Sequence, residues 1–501
     1  HMAVLLGIDL GTSGCKAVLF DPKGRILASG LSEYPILSPH LGWVEQDAEA
    51  WWEATCQAIR AALTAADLQS GNVIGVGLSS QGSAVLPVDS TGQPLRPALL
   101  YLDKRSEELC ARLRTKIPDE TVMRINGNPI APQITGTRIA WIREQEPEIY
   151  AAAATFLPAG GYLGYRLTGR MAMSVSEGGL SGVFDIAALD WSDELLAGYG
   201  LERKKLPQIL PCREVLGTVT EEASVATGLA PGTPVIVGGF DGAVTGLGVG
   251  AIEPGQVAAS LGTSFAPLLL TARPTPLPGL MIVPAGLDGF WLLAGVVDAA
   301  GGALRWFRDE LGHVERDKAA TTGESPYAVM DREVETIPPG ADGLLFLPYM
   351  AGARNPVSMP TARGALWGLT LRHTRAHILR ALMEGAALGL RHNLMAMINA
   401  GLPVTKMIAS GGAAQSDVWL QIIADVIEVP VARTNVAEGT CLGVAILAGI
   451  GAGLYRDVED ATRTIQAEQQ LFHPRPEYAP VYRALYEEYL DLSPLTAARK
   501  M

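Results

Sequence analysis

Two aspartates in this chain stand where an acidic group needs a reason. Asp9 lies near the end of the apolar run Val4-Leu5-Leu6-Gly7-Ile8-Asp9-Leu10, and Asp241 closes the run Pro234-Val235-Ile236-Val237-Gly238-Gly239-Phe240-Asp241. An unpaired carboxylate at the end of an apolar strand is costly. For Asp241, metal contact or proton abstraction supplies a reason, and N-capping of a following helix is the structural alternative. Asp9 is followed at once by Gly11-Thr12-Ser13-Gly14. Small residues in such a turn let backbone N–H groups approach an anion closely. A strand pair with this turn and a neighbouring Asp suits a phosphate tail carrying a metal ion, although an ordinary surface hairpin has the same appearance.

The turn recurs half a chain length later. Leu10-Gly11-Thr12-Ser13 returns as Leu261-Gly262-Thr263-Ser264, with strand-like runs on both sides (Gln256–Ser260 and Phe265–Leu270). Strand, turn and strand repeated in this way point to an internal duplication. Two similar halves, each with a phosphate-binding hairpin, suggest a nucleotide held in a cleft between two domains.

Further polar groups fall at the ends of apolar stretches. Asn72–Ser79 reads as a strand that delivers Ser80-Gln81-Gly82-Ser83, and α/β folds keep ligand contacts at such strand ends. Leu99–Leu102 delivers Asp103 and Arg105, which share a face on an extended segment and can reach one ligand. A salt-bridged surface turn is the alternative there. Ala299-Ala300-Gly301-Gly302 reads as a Gly turn entering an amphipathic helix, and Ser410-Gly411-Gly412-Ala413 joins a strand to a helix over about 417–427. Ser174–Gly182 is rich in Gly and Ser and is expected in a substrate lobe. His373 and His377 lack the Glu of a zinc-protease pattern and read as surface residues. No Walker A sequence is present, and no Ser-His-Asp grouping stands out.

Elements must position these groups. Asp47 is a candidate N-cap for a helix carrying Trp52, Cys56, Ile59 and Leu63 at helical spacing. Ala376–Asn393 reads as a long helix burying Leu379, Leu382, Met383, Ala386 and Leu390, and an amphipathic helix over 477–492 closes the chain. At 501 residues, two to three domains are expected. A formal charge of −13 argues against nucleic acid or an anionic membrane as partner. The five scattered cysteines, without a CxxC pair, favour a reducing compartment. Cys441–Leu454 is too short and Gly-rich to span a bilayer. With a strand at the very start and His1-Met2 reading as a cloning remnant, the expectation is a cytoplasmic protein.

Taken together, the motifs resemble the FGGY carbohydrate kinases, most closely their xylulokinase-like branch. The carrying residues are Gly7–Ser13 with Lys16, Trp43–Asp47, Asp103-x-Arg105, Gly238–Asp241, Ser260–Ser264, Phe346–Tyr349, and Ser410–Ala413 with Trp419. The resemblance implies an α/β chain of two actin-like, ribonuclease H-like domains with a cleft between them, placed here at 1–248 and 249–501. It implies ATP and Mg²⁺ as cofactors and a small sugar as substrate, and it is compatible with a homodimer. By the same resemblance Asp241 is the catalytic base, and Asp9 and Asp241 attend the metal. Thr12, Ser13, Lys16, Gly262 and Thr263 serve the phosphates, and Gly301, Arg305, Gly412, Ala413 and Ser416 line the adenosine site. Gln81, Gly82, Ser83, Asp103, Arg105 and Asp241 are the implied sugar contacts. Three changes, at four positions, depart from the xylulokinase pattern: Gly82-Ser83 replaces Met-His, Leu102 replaces Asn, and Gly242 replaces the Asn often found after the base. D-Xylulose is the first expectation, with ribulose, erythrulose or a sugar alcohol as competitors. An actin/Hsp70-like ATPase is disfavoured because too few residues follow 450 for a peptide-binding domain. A non-catalytic sugar-binding regulator is disfavoured by the retained aspartates and both Gly-Thr turns.

Overall fold

The computed structural model describes residues 3–497; His1 and Met2 lie outside them. Among the described residues, two seven-stranded sheets form the body of the molecule. In the first, the order across the sheet is Val215–Thr218, Pro234–Ile236, Val73–Ser80, Val4–Leu10, Gly14–Phe20 and Ile26–Glu33, with Gly239–Phe240 also pairing on Val73–Ser80. In the second it is Met281–Pro284, Trp291–Ala294, Phe265–Thr271, Gln256–Leu261, Lys406–Ser410, Val431–Thr434 and Gln469–Phe472.

The repeated turn occupies the same place in each sheet. Val4–Leu10 runs antiparallel to Gly14–Phe20 and parallel to Val73–Ser80. Gln256–Leu261 runs antiparallel to Phe265–Thr271 and parallel to Lys406–Ser410. The two halves thus share strand directions as well as a four-residue sequence, as a duplication requires.

Alternation along the first strand assigns its two faces. Leu6, Ile8 and Leu10 pack with Trp51, Ala58, Ile59 and Ala62 of the Ala48–Ala65 helix, which Asp47 caps by accepting Glu49 N at 2.9 Å. Leu5 packs on the other face with Cys441, Leu442 and Ala445 of the Gly439–Gly451 helix. That helix follows a strand of the second sheet, yet it lies on the first. Conversely, the Asp241–Val249 helix follows the first sheet, and Val249 packs with Ala258, Ile408 and Ala432 of the second. The helices have changed places, and they cross where neither has side chains to spare. A Cβ on Gly248 would stand 1.8 Å from Gly439 O, and one on Gly443 would stand 2.1 Å from Val244 O. Gly7 and Gly77 let the Gly439–Gly451 helix settle on the sheet in the same way, with would-be Cβ contacts of 2.0 and 2.1 Å to its carbonyls.

Three local expectations change. The apolar run from Pro234 is broken into Pro234–Ile236 and Gly239–Phe240, because Gly238 adopts φ +72° and presses within 1.7 Å (measured from a would-be Cβ) of Leu78 O. Asp241 consequently begins a helix, whose N-cap position is Phe240. His377 is buried rather than on the surface: its Nδ1 caps the Arg375–Asn399 helix at Thr374, and its Nε2 lies 3.1 Å from Asp342. The third concerns Asp103 and Arg105, described below. The remaining helices are close to expectation, at Asp417–Ile427 and Ala479–Leu492. No helix among the described residues is long and apolar enough to cross a membrane.

Candidate active site

Three adjacent parallel strands deliver the first group of residues. Asp9 pairs in register with Ser79, Gly239 with Ser79, and Phe240 with Ser80. Asp9, Gln81 and Asp241 therefore emerge side by side at the carboxyl end of the sheet, the position where α/β sheets bind ligands. Asp9 accepts a hydrogen bond from Ser79 Oγ at 3.2 Å. Its carboxyl is pushed up to about 6, chiefly by burial and then by the negative charge of Asp241. Asp241 is exposed to the cleft and receives Gly242 N on Oδ1 at 2.7 Å, which leaves Oδ2 open. Protein crowding around the cleft raises its carboxyl above the ordinary value. Since the side chain is solvent-accessible, this raised value does not bar it from meeting a substrate.

Lys16, expected beside phosphates, instead forms an ion pair with Glu438 at 2.9 Å, at the start of the Gly439–Gly451 helix. Two converging carboxylates are thus left without a cation in contact, which is the setting a divalent ion would relieve. Among the described residues no group of three or more His, Cys, Asp or Glu could hold a metal alone. That fits Mg²⁺, which takes one or two carboxylates and keeps water and phosphate oxygens as its other ligands.

The turn at Gly11 is closed by Gly11 N donating to Gly14 O at 2.9 Å, and Gln46 Nε2 fixes it by donating to Thr12 O at 2.6 Å. The second turn is held by Gly262 N to Ser264 O at 3.1 Å and by Gly302 N to Thr263 O at 3.0 Å. Gly301 is required there, since its Cβ would lie 2.1 Å from Gly262 O. Gly411, at φ +95°, bends the chain over Leu261 and presents Gly412, whose missing side chain would point into open space. Gly262, Thr263, Gly301, Gly412 and Ala413 therefore gather at the carboxyl end of the second sheet. Arg305 is exposed one helical turn beyond Gly301. Ser416 is an N-cap: its Oγ accepts Trp419 N at 3.0 Å and donates to Asp331 at 2.9 Å. Asp331, which no sequence motif flagged, is raised to about 6 by burial.

Asp103 and Arg105 do not stand free on an extended segment. They lie in a turn and bind each other, Arg105 Nη2 to Asp103 Oδ2 at 2.8 Å, with both side chains sealed from solvent. Asp103 also accepts Val44 N at 2.6 Å, and Arg105 Nη2 reaches Glu45 at 2.7 Å. The guanidinium lies 3.8 Å over the Trp43 ring. Arg105 Nη1 is buried with no partner, as is Gln81 Oε1. Buried polar atoms without a protein partner call for a water, an ion or a ligand. Ser83 is different: its hydroxyl donates to Gln133 O at 2.9 Å, so it is committed to the scaffold. Leu180 stands 2.8 Å from where a Cβ on Gly82 would be, and it fills the space a larger residue there would take.

The comparisons with known proteins agree with this geometry. The chain matches the N-terminal domain of the FGGY family of carbohydrate kinases over residues 4–248 and the C-terminal domain over 257–452. It is similar to the gluconokinase of Bacillus subtilis, 32% identical with 98% of this chain and 96% of that protein covered. It is also similar to the xylulose kinase of Bacillus subtilis, 29% identical over 98% and 97%. Among solved structures, the xylulose kinase from Rhodospirillum rubrum superposes with a TM-score of 0.89 at 30% identity, covering 98% of this chain and 99% of that one. A duplicated phosphate hairpin, two aspartates at one sheet end and a match spanning both halves lead to one assignment: the chain belongs to the FGGY family of carbohydrate kinases and is a sugar kinase.

Proposed function

We propose that the chain transfers the γ-phosphate of ATP to a hydroxyl of a ketopentose, D-xylulose first, giving D-xylulose 5-phosphate. The observation that carries this reading is the placement of Asp241, exposed at the first turn of a helix beside Asp9 and Gln81. Phosphoryl transfer asks little covalent chemistry of the protein; it needs positioning, charge neutralisation and a base. Asp241 Oδ2 takes the proton of the attacking hydroxyl, a service worth roughly 10²–10⁴-fold. Asp9 and Asp241 would hold Mg²⁺, which would supply positive charge against the phosphates. Thr12, Ser13 and Thr263, with the backbone N–H groups of the two turns, bind the phosphate oxygens. Gly301, Arg305, Gly412, Ala413 and Ser416 take the adenosine. Gln81, delivered beside Asp241, meets a substrate hydroxyl with its unpaired Oε1, and closure of the cleft keeps water from the γ-phosphate. The free cysteines and acidic charge suit a cytoplasmic enzyme.

A second acceptor, gluconate, is supported by the similarity to the gluconokinase of Bacillus subtilis. The test is Mg²⁺-dependent ADP formation across ketopentoses, tetruloses, sugar alcohols and gluconate, with Asp241→Ala as control. Xylulose-dependent turnover lost in the variant supports the first reading, and preference for gluconate reassigns the acceptor. Equal sugar-independent ATP hydrolysis by both proteins refutes the kinase mechanism.

A further inference from the structure

Glu177 is a buried carboxyl for which the mechanism above has no use. It lies in the short Val175–Gly179 helix, 4% exposed. Its Oε2 accepts Ser83 N at 3.1 Å, and its Oε1 accepts Ser80 Oγ at 3.4 Å. Ser80 Oγ in turn receives Gly160 N at 3.0 Å. From the opposite side the fully buried Arg138 donates to Ser83 O and to Ser83 Oγ, the latter at 3.1 Å. Two buried side chains, the Glu177 carboxyl and the Arg138 guanidinium, therefore grip the N–H and the C=O of one residue. That residue has φ +55°, a left-handed conformation that serine adopts only when its surroundings impose it.

The same short helix reaches the base. Ser176 Oγ accepts Phe240 N at 3.3 Å, in the residue just before Asp241. A Cβ on Gly239 would come within 2.8 Å of that oxygen, so the contact is close. One end of the Ser176-Glu177 pair thus fixes the loop carrying Gln81, and the other fixes the Gly239–Phe240 strand that leads into Asp241. Relative placement of acceptor and base to within a fraction of an ångström is what such a transfer requires.

We propose that Glu177 is a positioning residue of the acceptor site: by holding Ser83 N and Ser80 Oγ while Ser176 holds Phe240 N, it locks the 81–83 loop to the Gly239–Phe240 strand that leads into Asp241. The inference rests on the sugar-kinase reading, with the acceptor bound at 81–83. Burial keeps this carboxyl protonated near neutral pH, so it acts through hydrogen bonds and not as a second anion beside Asp241.

The test uses the full chain with Glu177→Gln, Glu177→Asp and Glu177→Ala, and the acceptor the unmodified protein turns over best. An amide reproduces the clamp, since its oxygen accepts Ser83 N and its nitrogen meets Ser80. Asp falls short by one methylene, and Ala removes the grip. Glu177→Gln is expected to keep the sugar KM. Asp and Ala are expected to raise it on the order of tenfold or more, with KM for ATP unchanged. Amide hydrogen exchange at residue 83 is expected to speed up in Asp and Ala and not in Gln. An unchanged sugar KM in folded Glu177→Asp, or equal exchange at residue 83 in all variants, overturns the proposal. Absence of sugar-dependent turnover in the unmodified protein refutes the kinase reading instead, and the exchange experiment still decides the clamp.

Discussion

Alanine at Gly248 tests whether the crossing of the two exchanged helices sets the position of Asp241, the proposed base. Its Cβ would stand 1.8 Å from Gly439 O, whereas ordinary contact begins near 3.4 Å, so the helices must part by about 1.6 Å. The intruding atom meets backbone, which has no rotamer to yield. Overpacking of this kind costs roughly 1–3 kcal/mol. The displacement also travels to the site, because Asp241 begins the same helix and Thr245 Oγ1 lies 2.8 Å from Thr440 Oγ1 across the crossing. A misplacement of about 1 Å at a reacting group costs on the order of 10²-fold in rate. Gly246→Ala is the internal control. It sits on the same helix, but its Cβ meets nothing closer than 3.6 Å, and replacing Gly inside a helix gains about 0.5–1 kcal/mol. Thermal unfolding and sugar-dependent ADP formation on both variants read the two effects. Gly248→Ala should lose stability and most of kcat, while Gly246→Ala keeps both. Matching behaviour of the two variants would refute the argument that backbone contact at this crossing fixes the base.

Asp241→Ala should lower kcat by roughly 10²–10⁴-fold with Tm nearly unchanged, because the side chain is exposed and bonds only its neighbouring amide; circular dichroism melts beside kinetics check both. Burial pushes the Asp9 carboxyl up to about 6, so if Asp9 holds Mg²⁺ as proposed, below that pH the Mg²⁺ concentration for half-maximal activity should rise about tenfold per unit. An activation constant that stays flat between pH 7 and 5 would remove Asp9 from the metal. Glu177 has a folded value near 8 against an ordinary 4.5, so the folded state binds the extra proton and loses stability as pH rises between those values. Glu177→Gln lacks this slope, and its urea midpoint should gain on the unmodified protein from pH 5.5 to 8; parallel curves would count against the buried proton. Lys16→Ala should cost no more than about 1 kcal/mol, since both partners of its ion pair are about one-third exposed, and it should shift the acid limb of activity upward by removing a charge that favours ionised Asp9.

What the sequence made legible was whatever is written locally. The Leu-Gly-Thr-Ser repeat marked both hairpins, because strand, tight turn and strand are neighbours in the chain. Asp47 marked a helix start for the same reason, through its bond to Glu49 N. The departures arise from contacts between distant residues. Pro234–Phe240 reads as one strand until Gly238 is found pressed against Leu78 O. Asp103 and Arg105 were expected to face a ligand, but Val44 N and Glu45, supplied by a segment some sixty residues earlier, draw them into a buried cluster. Lys16 finds Glu438, and no pattern near either residue announces the other. Glu177 was hidden for a similar reason: it sits in a Gly/Ser-rich stretch, and only folding brings it to Ser83 and Arg138.

The exchange of helices also bears on how the chain is made. The first strand is the first to leave the ribosome, yet Leu5, Val18 and Phe20 are covered by Cys441, Leu442, Ala445 and Ile446, synthesised more than four hundred residues later. At typical elongation rates of about 5–20 residues per second, that face stays bare for tens of seconds. The nascent N-terminal half is therefore a natural client for chaperones. A ribosome stalled before residue 439 carries a sheet whose strands are all present but one of whose faces its own residues cannot cover.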